Sequence, residues 1–279
     1  MNNSRVKKMI HAYFRDPIST ASFIIFMIIV IVCAASPLYV SEESQSINFS
    51  IARMFPCKEH IFGTDTIGRD LLGRILLGGR FTLLGGLKAA VISIIIGTIF
   101  GVYAGFNDNL FTAAILRASE LIDCVPYILL VTMFEYKLGF GTGSFIYGLA
   151  LAAVPATIQI VRAETMQLKN KEYIEAARAL GFSRWVIILK HIMNNITGTI
   201  IMQFSINFSE AILAETILGY LSIGYATPLF DWGTLVSEGY TFVRGLPYLC
   251  FYPTIAVFIT LISLNLISRG IRDVYERQS

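Results

Sequence analysis

Apolar positions along this chain run in long unbroken blocks, not in the alternation of a strand or the one-sided stripe of a soluble helix. Ile18–Val40, Thr82–Tyr103, Leu110–Phe134, Ser144–Val161, Asn194–Tyr220 and Tyr248–Ile267 each come close to the roughly 20 residues that a helix needs to cross a bilayer. They predict an all-α integral membrane protein with six transmembrane helices; a barrel would show short alternating segments instead. The second block carries Gly85, Gly86, Gly97 and Gly101, small residues that let helices approach closely in lipid. Gly105-Phe106-Asn107-Asp108-Asn109 reads as a tight turn after it. The third block is interrupted by Arg117, Glu120, Asp123 and Pro126; the fourth contains Pro155 and stops at Arg162; the fifth contains Glu210 and Glu215. The chain thus divides into a tail 1–17, a first span 18–40, a loop 41–81, a five-helix core 82–268 and a tail 269–279. Within the core lie a long loop 164–193 and a loop 221–247 on the opposite side.

Composition agrees with this pattern. The chain is 55% hydrophobic and 15% charged, against about 25% charged in a soluble domain, and its mean hydropathy is +0.65. A net charge of +3 is too small to suggest nucleic-acid binding. Its distribution says more. Six spans put both termini on one side, where the N-terminal tail, residues 162–190 and the C-terminal tail carry thirteen Lys and Arg against seven opposite. The positive-inside rule then makes the termini and the 164–193 loop cytoplasmic, in a plasma membrane. The 41–81 loop opposes the rule with five basic residues. The basic flank and first apolar block also describe a signal peptide, with Ala34-Ala35-Ser36 as a cleavage region; we read a retained span. Bulky Val32 argues against a lipoprotein site at Cys33. Four cysteines without CxxC spacing and histidines at 11, 60 and 191 give no metal site. No phosphate-binding G-x-x-x-x-G-K-[ST], HExxH or GxSxG string occurs, so neither catalytic residues nor a bound cofactor are expected.

The 164–193 loop is the most informative stretch. Asn170 reads as an N-cap, and Glu172 and Glu175 sit near the positive end of the helix that follows. Tyr173, Ala176, Ala177 and Leu180 form an i, i+3, i+4, i+7 stripe. Gly181 ends the helix, and Ser183 caps a second one running through Trp185, Ile188 and Leu189 into the fifth span. A small-residue face edged by charge suits docking of a cytosolic protein; an amphipathic helix resting on the membrane surface has the same pattern.

Glu175-Ala176-Ala177, three residues and Gly181, followed by the region of Ile192, resembles the EAA motif of importer permeases of the ATP-binding-cassette class. The string Glu172-Tyr173-Ile174-Glu175-Ala176-Ala177-Arg178-Ala179-Leu180-Gly181 is similar to the form in the dipeptide/oligopeptide/nickel subfamily. Asn194 stands where that subfamily usually has Pro, so the approach to the fifth span should be less kinked. His60-Ile61-Phe62-Gly63-Thr64-Asp65-Thr66-Ile67-Gly68-Arg69-Asp70 resembles the H-P-L-G-T-D-x-x-G-R-D signature of the second-type permease subunit, with Ile61 for Pro. Gly63 and Gly68 permit tight turns, and Asp65, Arg69 and Asp70 can pair among themselves. Such a loop is either self-satisfied or faces a solute-binding protein. Arg117-x-x-Glu120…Pro126 matches an R-x-x-D…P pattern with Glu for Asp. These charges either pair between helices or line a path. Glu210-Ala211-Ile212-Leu213-Ala214-Glu215, Pro228, Asp231-Trp232-Gly233 and Glu238-Gly239 track the subfamily too. Glu210 and Glu215 lie about 140° apart on a helix, so at most one faces a path.

The resemblance implies a non-catalytic permease subunit that imports peptides by alternating access, with a nickel or metal-chelate importer as the alternative. It implies a homologous second permease subunit, two cytosolic ATPase subunits carrying the ATP and Mg, and an extracytoplasmic solute-binding protein. Residues 172–181 would seat on an ATPase. A membrane receptor or signalling anchor is the reading from another class; it would not need charges in several spans together with such a loop.

Overall fold

The computed structural model describes residues 12–41, 43–139, 142–223 and 230–276. Arg5, Lys7, Lys8, His11, Pro228 and Arg277 lie outside the described residues. The described residues are helical with no strand; Thr64 and Asp70 form one isolated bridge.

Helix α1 is Pro17–Tyr39, started by Asp16, whose carboxylate accepts from the Ser19 N–H at 2.8 Å. Helix α2 is Leu71–Phe106, capped by Asp70, which accepts from the Gly73 N–H at 2.7 Å. It starts at Leu71 rather than Thr82 and runs through Phe106, so Gly105 and Phe106 belong to the helix and the turn begins at Asn107. At 36 residues it is about 54 Å long, well beyond a hydrocarbon core of about 30 Å. Its early turns hold Arg74, Gly78 and Gly79 because they lie inside the protein: Gly79 is pressed against Trp232, and Arg74 is ion-paired.

The expected third span is two helices, α3 (Leu110–Asp123) and α4 (Tyr127–Leu138). Pro126, which has no N–H to give a continuing helix, stands at the break. Neither piece is long enough to cross alone, and five helices of the described residues are long and apolar enough to do so. Helix α5, Thr142–Lys169, shows why the pair still has to traverse. A side chain on Gly101 would meet Val161 at 2.8 Å, and one on Gly105 would meet Thr165 at 2.6 Å. Numbers rise together along both helices, so α2 and α5 are parallel. Chain leaving α2 at Phe106 must therefore recross before α5, and α3 with α4 is the segment that does so.

Helix α6 is Glu172–Ala179, α7 is the continuous Arg184–Tyr220, α8 is Trp232–Tyr240 and α9 is Tyr248–Glu276. Just before Met193, α7 widens into a π-helical turn over Ile187–Ile192. Asn194 and Asn195 donate side-chain amides to the Lys190 and His191 carbonyls at 2.7 and 2.6 Å, bonding groups the widened turn would leave short of partners. Asn194 thus sits in an unbroken helix.

One apolar cluster joins Val102 and Phe106 of α2, Val161 of α5, Ile174 and Ala177 of α6 and Ile187, Ile192 and Ile196 of α7. The Tyr275 hydroxyl donates to the Asn195 carbonyl at 2.7 Å, and Gly270 lies against Ser19 and Tyr13. The start of α1, the end of α9 and the 164–193 loop therefore share one end of the bundle, here termed the inner end. A second cluster at the opposite, outer end joins Cys33, Leu71, Ile75, Trp232, Leu235 and Tyr248. Midway, Asn207 of α7 donates to Ser93 of α2 and Thr157 of α5, each at 2.9 Å, and accepts from Gln203 at 2.7 Å. One buried amide thereby ties three spans together.

Candidate functional site

At the inner end, α6 stops in a complete Schellman turn. Gly181 takes φ +81°, the Phe182 N–H reaches the Ala177 carbonyl at 3.1 Å, and the Gly181 N–H reaches Arg178 at 3.0 Å. Ser183 then caps the next turn through the Val186 N–H. The helix begins one residue later than expected: Lys171, not Asn170, is the cap, and it makes no side-chain cap bond. The stripe is also rotated. Ile174 and Ala177 face the protein, whereas Tyr173, Ala176 and Leu180 are exposed. Arg178 lies over the Phe106 ring at 5.6 Å, while Glu172 and Glu175 point to solvent. Leu180 is 78% exposed, Trp185 72% and Leu189 65%. Large apolar side chains cluster this way where a partner protein or the membrane surface covers them. The Tyr173 hydroxyl accepts from Asn195 at 3.3 Å, and burial, then nearby Tyr275, pushes its pKa up.

At the outer end, the 60–70 segment is locked onto the bundle. Asp65 accepts from the Ile67 and Arg69 N–H groups at 3.0 and 2.9 Å, from Arg69 Nε at 2.7 Å and from Arg74 Nη1 at 3.0 Å. Arg74 is 2% exposed and also holds Glu238 of α8. Asp70 does not pair with Arg69; it binds His60 at 3.0 Å and caps α2. Gly63 and Gly68 take φ +79° and +87° against the Met54 and Asn48 carbonyls, where a side chain would collide. Thr64 is buried, its hydroxyl donating to Ile51 and accepting from the Met54 N–H. The buried Thr64 and Asp65 side chains find their partners within this chain, at Ile51, Met54, Ile67, Arg69 and Arg74. Sequence reasoning missed Arg74 and its pairing with Glu238, which lies 164 positions away.

The intramembrane charges separate. Arg117 and Glu120 pair at 2.7 Å on the exposed side of α3, and Asp123 is exposed at its last residue. Glu215 is fully buried among the helices. Glu210 opens into a cavity of about 300 Å3 with Tyr127, Ala89, Ala152, Ala153 and Ala214. These five charged positions form no common cluster.

Long apolar helices, a locked outer segment and an inner segment with exposed apolar side chains define a polytopic membrane protein. The family described as "Binding-protein-dependent transport system inner membrane component" matches residues 97–278, and the chain belongs to that family. Similarity to individual proteins extends further. The oligopeptide transport system permease protein OppC of Haemophilus influenzae is 35% identical over 95% of this chain and 86% of its own. The probable D,D-dipeptide transport system permease protein DdpC of Escherichia coli is 28% identical over 94% and 88%. The glutathione transport system permease protein GsiD of Pectobacterium atrosepticum is 28% identical over 92% and 85%. Among solved structures, the inward-facing MetNI methionine ABC transporter shares the fold with a TM-score of 0.58 at 18% identity, over 73% of this chain and 96% of that one.

Proposed function

We propose that this chain is one of two permease subunits of an ATP-driven importer of peptides, with its inner end in the cytoplasm of a bacterial or archaeal cell. Peptide is favoured over nickel because relatives spanning most of the chain are named for oligopeptides, a D,D-dipeptide and glutathione. A homologous permease would complete the path, and a solute-binding protein would deliver cargo at the outer end. Two cytosolic ATPase subunits would supply ATP and Mg; this chain performs no covalent chemistry. The observation carrying the mechanism is the uncovered rim of Tyr173, Leu180 and Trp185 beside Glu172 and Glu175. Ile174 and Ala177 of α6 pack against Ile187, Ile192 and Ile196 of α7, so a push on α6 would be delivered to a span.

Glu175→Arg reverses a charge on this rim, and Gly181→Asp forces a side chain into φ +81°, at a cost of about 1 kcal/mol or more. Each should abolish co-purification with the ATPase subunits and peptide uptake while leaving the permease in the membrane. Normal association and uptake in both variants would refute the docking role.

A further inference from the structure

Glu210 is a carboxylate within the apolar length of α7, about 15 Å from its outer end at Tyr220. A charge at that depth is tolerated only beside a counter-charge or in a water-filled path. Among the described residues no basic side chain pairs with it, in contrast to Arg117 with Glu120 and Arg74 with Asp65. Its cavity of about 300 Å3 is walled mainly by apolar side chains, alanines together with Leu149, Leu213 and Ile217. Asn207, one turn away on the same wall, has its amide nitrogen and oxygen both engaged by Ser93, Thr157 and Gln203. Both of its N–H groups are used within the protein, so it offers no donor to a visitor. The cavity therefore presents one exposed carboxylate bordered by apolar side chains, with no cation of this chain to neutralise it among the described residues.

We propose that Glu210 is a transit site for the terminal ammonium group of the translocated solute. This rests on the peptide reading above, since a peptide always brings one α-ammonium. A cavity of this size is at the small end for ligand pockets and suits one terminal residue, not a whole oligopeptide. Such a site reads the amino terminus and ignores the side chains that follow. A transporter of varied sequences needs that property, and a single exposed ion pair releases its ligand readily.

The test uses the complete transporter in proteoliposomes, with Cys33, Cys57, Cys124 and Cys250 replaced by serine. A reporter cysteine is placed at Leu213, which lines the same cavity. The reporter should react about tenfold or more faster with a trimethylammonium methanethiosulfonate than with the sulfonate analogue. Glu210→Gln should bring that ratio near one, and Glu210→Asp should retain it. A peptide with a free amino terminus should slow labelling by the cationic reagent, while the N-acetylated form, first shown to bind the solute-binding protein, should not. An unchanged ratio in Glu210→Gln, or equal protection by both peptides, overturns the proposal. So does loss of the second permease subunit from Glu210→Gln on co-purification, which would make Glu210 an intersubunit ion-pair partner. If the cation preference stands but the transporter moves no peptide, the site survives for another cationic solute and the peptide reading fails.

Discussion

Asp65→Asn isolates the electrostatic part of the outer lock. Asn keeps an oxygen for the Ile67 and Arg69 backbone N–H groups but turns its NH2 towards Arg69 Nε and Arg74 Nη1, now 2.7 and 3.0 Å from the Oδ2 carboxylate oxygen. Two charge-assisted bonds, each about 1.5–3 kcal/mol, are replaced by donors facing donors. Arg69 is partly exposed and regains water, and Arg74 keeps Glu238. The net loss should therefore be about 3 kcal/mol, or on the order of a hundredfold in the constant for opening this segment. Glu238→Gln removes a carboxylate that is half exposed and screened, so its effect should stay below about 1 kcal/mol. Hydrogen exchange of the Arg53, Asp65 and Arg69 amides in lipid nanodiscs reads the opening directly, since the first two bond across the segment to the Asp65 and Arg69 carbonyls. Equal acceleration in the two variants, or less than about threefold in Asp65→Asn, would refute the assignment of the lock to the buried carboxylate.

Asp231 starts α8 with its carboxylate buried, and burial pushes its pKa from 3.8 up to about 6 against the opposing hydrogen bonds from Thr234 and Gly233. A raised carboxyl pKa favours the folded state most below pH 4; that advantage, about 3 kcal/mol, should fade as pH rises to 6 and then level off. Comparing thermal midpoints of the wild type and Asp231→Asn across pH 3.5–7 checks this; a constant difference would exclude it. Gly101→Leu drives a side chain into Val161 and the Ile158 carbonyl, at 2.8 and 3.0 Å, and should destabilise α2 against α5 by at least about 1–3 kcal/mol. Gly245→Ala, with nothing within 4 Å, should be nearly silent in the same unfolding assay. Asn207→Ala strands Ser93, Thr157 and Gln203, and should cost about 2–3 kcal/mol in nanodisc melting; a neutral result would mean the buried polar trio is satisfied without it.

The long apolar blocks announced α1, α5, α7 and α9 because the bilayer's demand on a helix is local and one-dimensional. The beginning of α2 hid because Leu71–Phe81 contains two arginines and three glycines, which read as polar loop. Arg74 becomes an interior residue only through Asp65 and a partner 164 positions away. The break at Pro126 was visible as a cluster of charges and proline, yet continuous hydropathy on both sides masked its consequence. On α6 the turn residues Gly181 and Ser183 were legible from chemistry alone. The buried face was not, since two apolar stripes lie side by side and the cluster around Phe106 accepts Ile174 in place of Tyr173. Helical geometry alone puts Glu210 and Glu215 on different faces of α7, and the first is exposed while the second is buried. Which of them opens into a cavity depended on the neighbours that α2, α4 and α5 bring.

Helix α7 is also a mechanical beam. Its 37 residues span about 55 Å, and Asn207 pins it to two neighbouring spans at a point about 35 Å from Arg184 and about 20 Å from Tyr220. A stiff rod pivoting there has arms in a ratio of about 1.8 to 1. A sideways displacement of about 5 Å applied beside Gly181 emerges at Tyr220 as about 3 Å in the opposite direction. Movement is geared down and force geared up. Closing one end of such a rod against its neighbours opens the other by the same stroke.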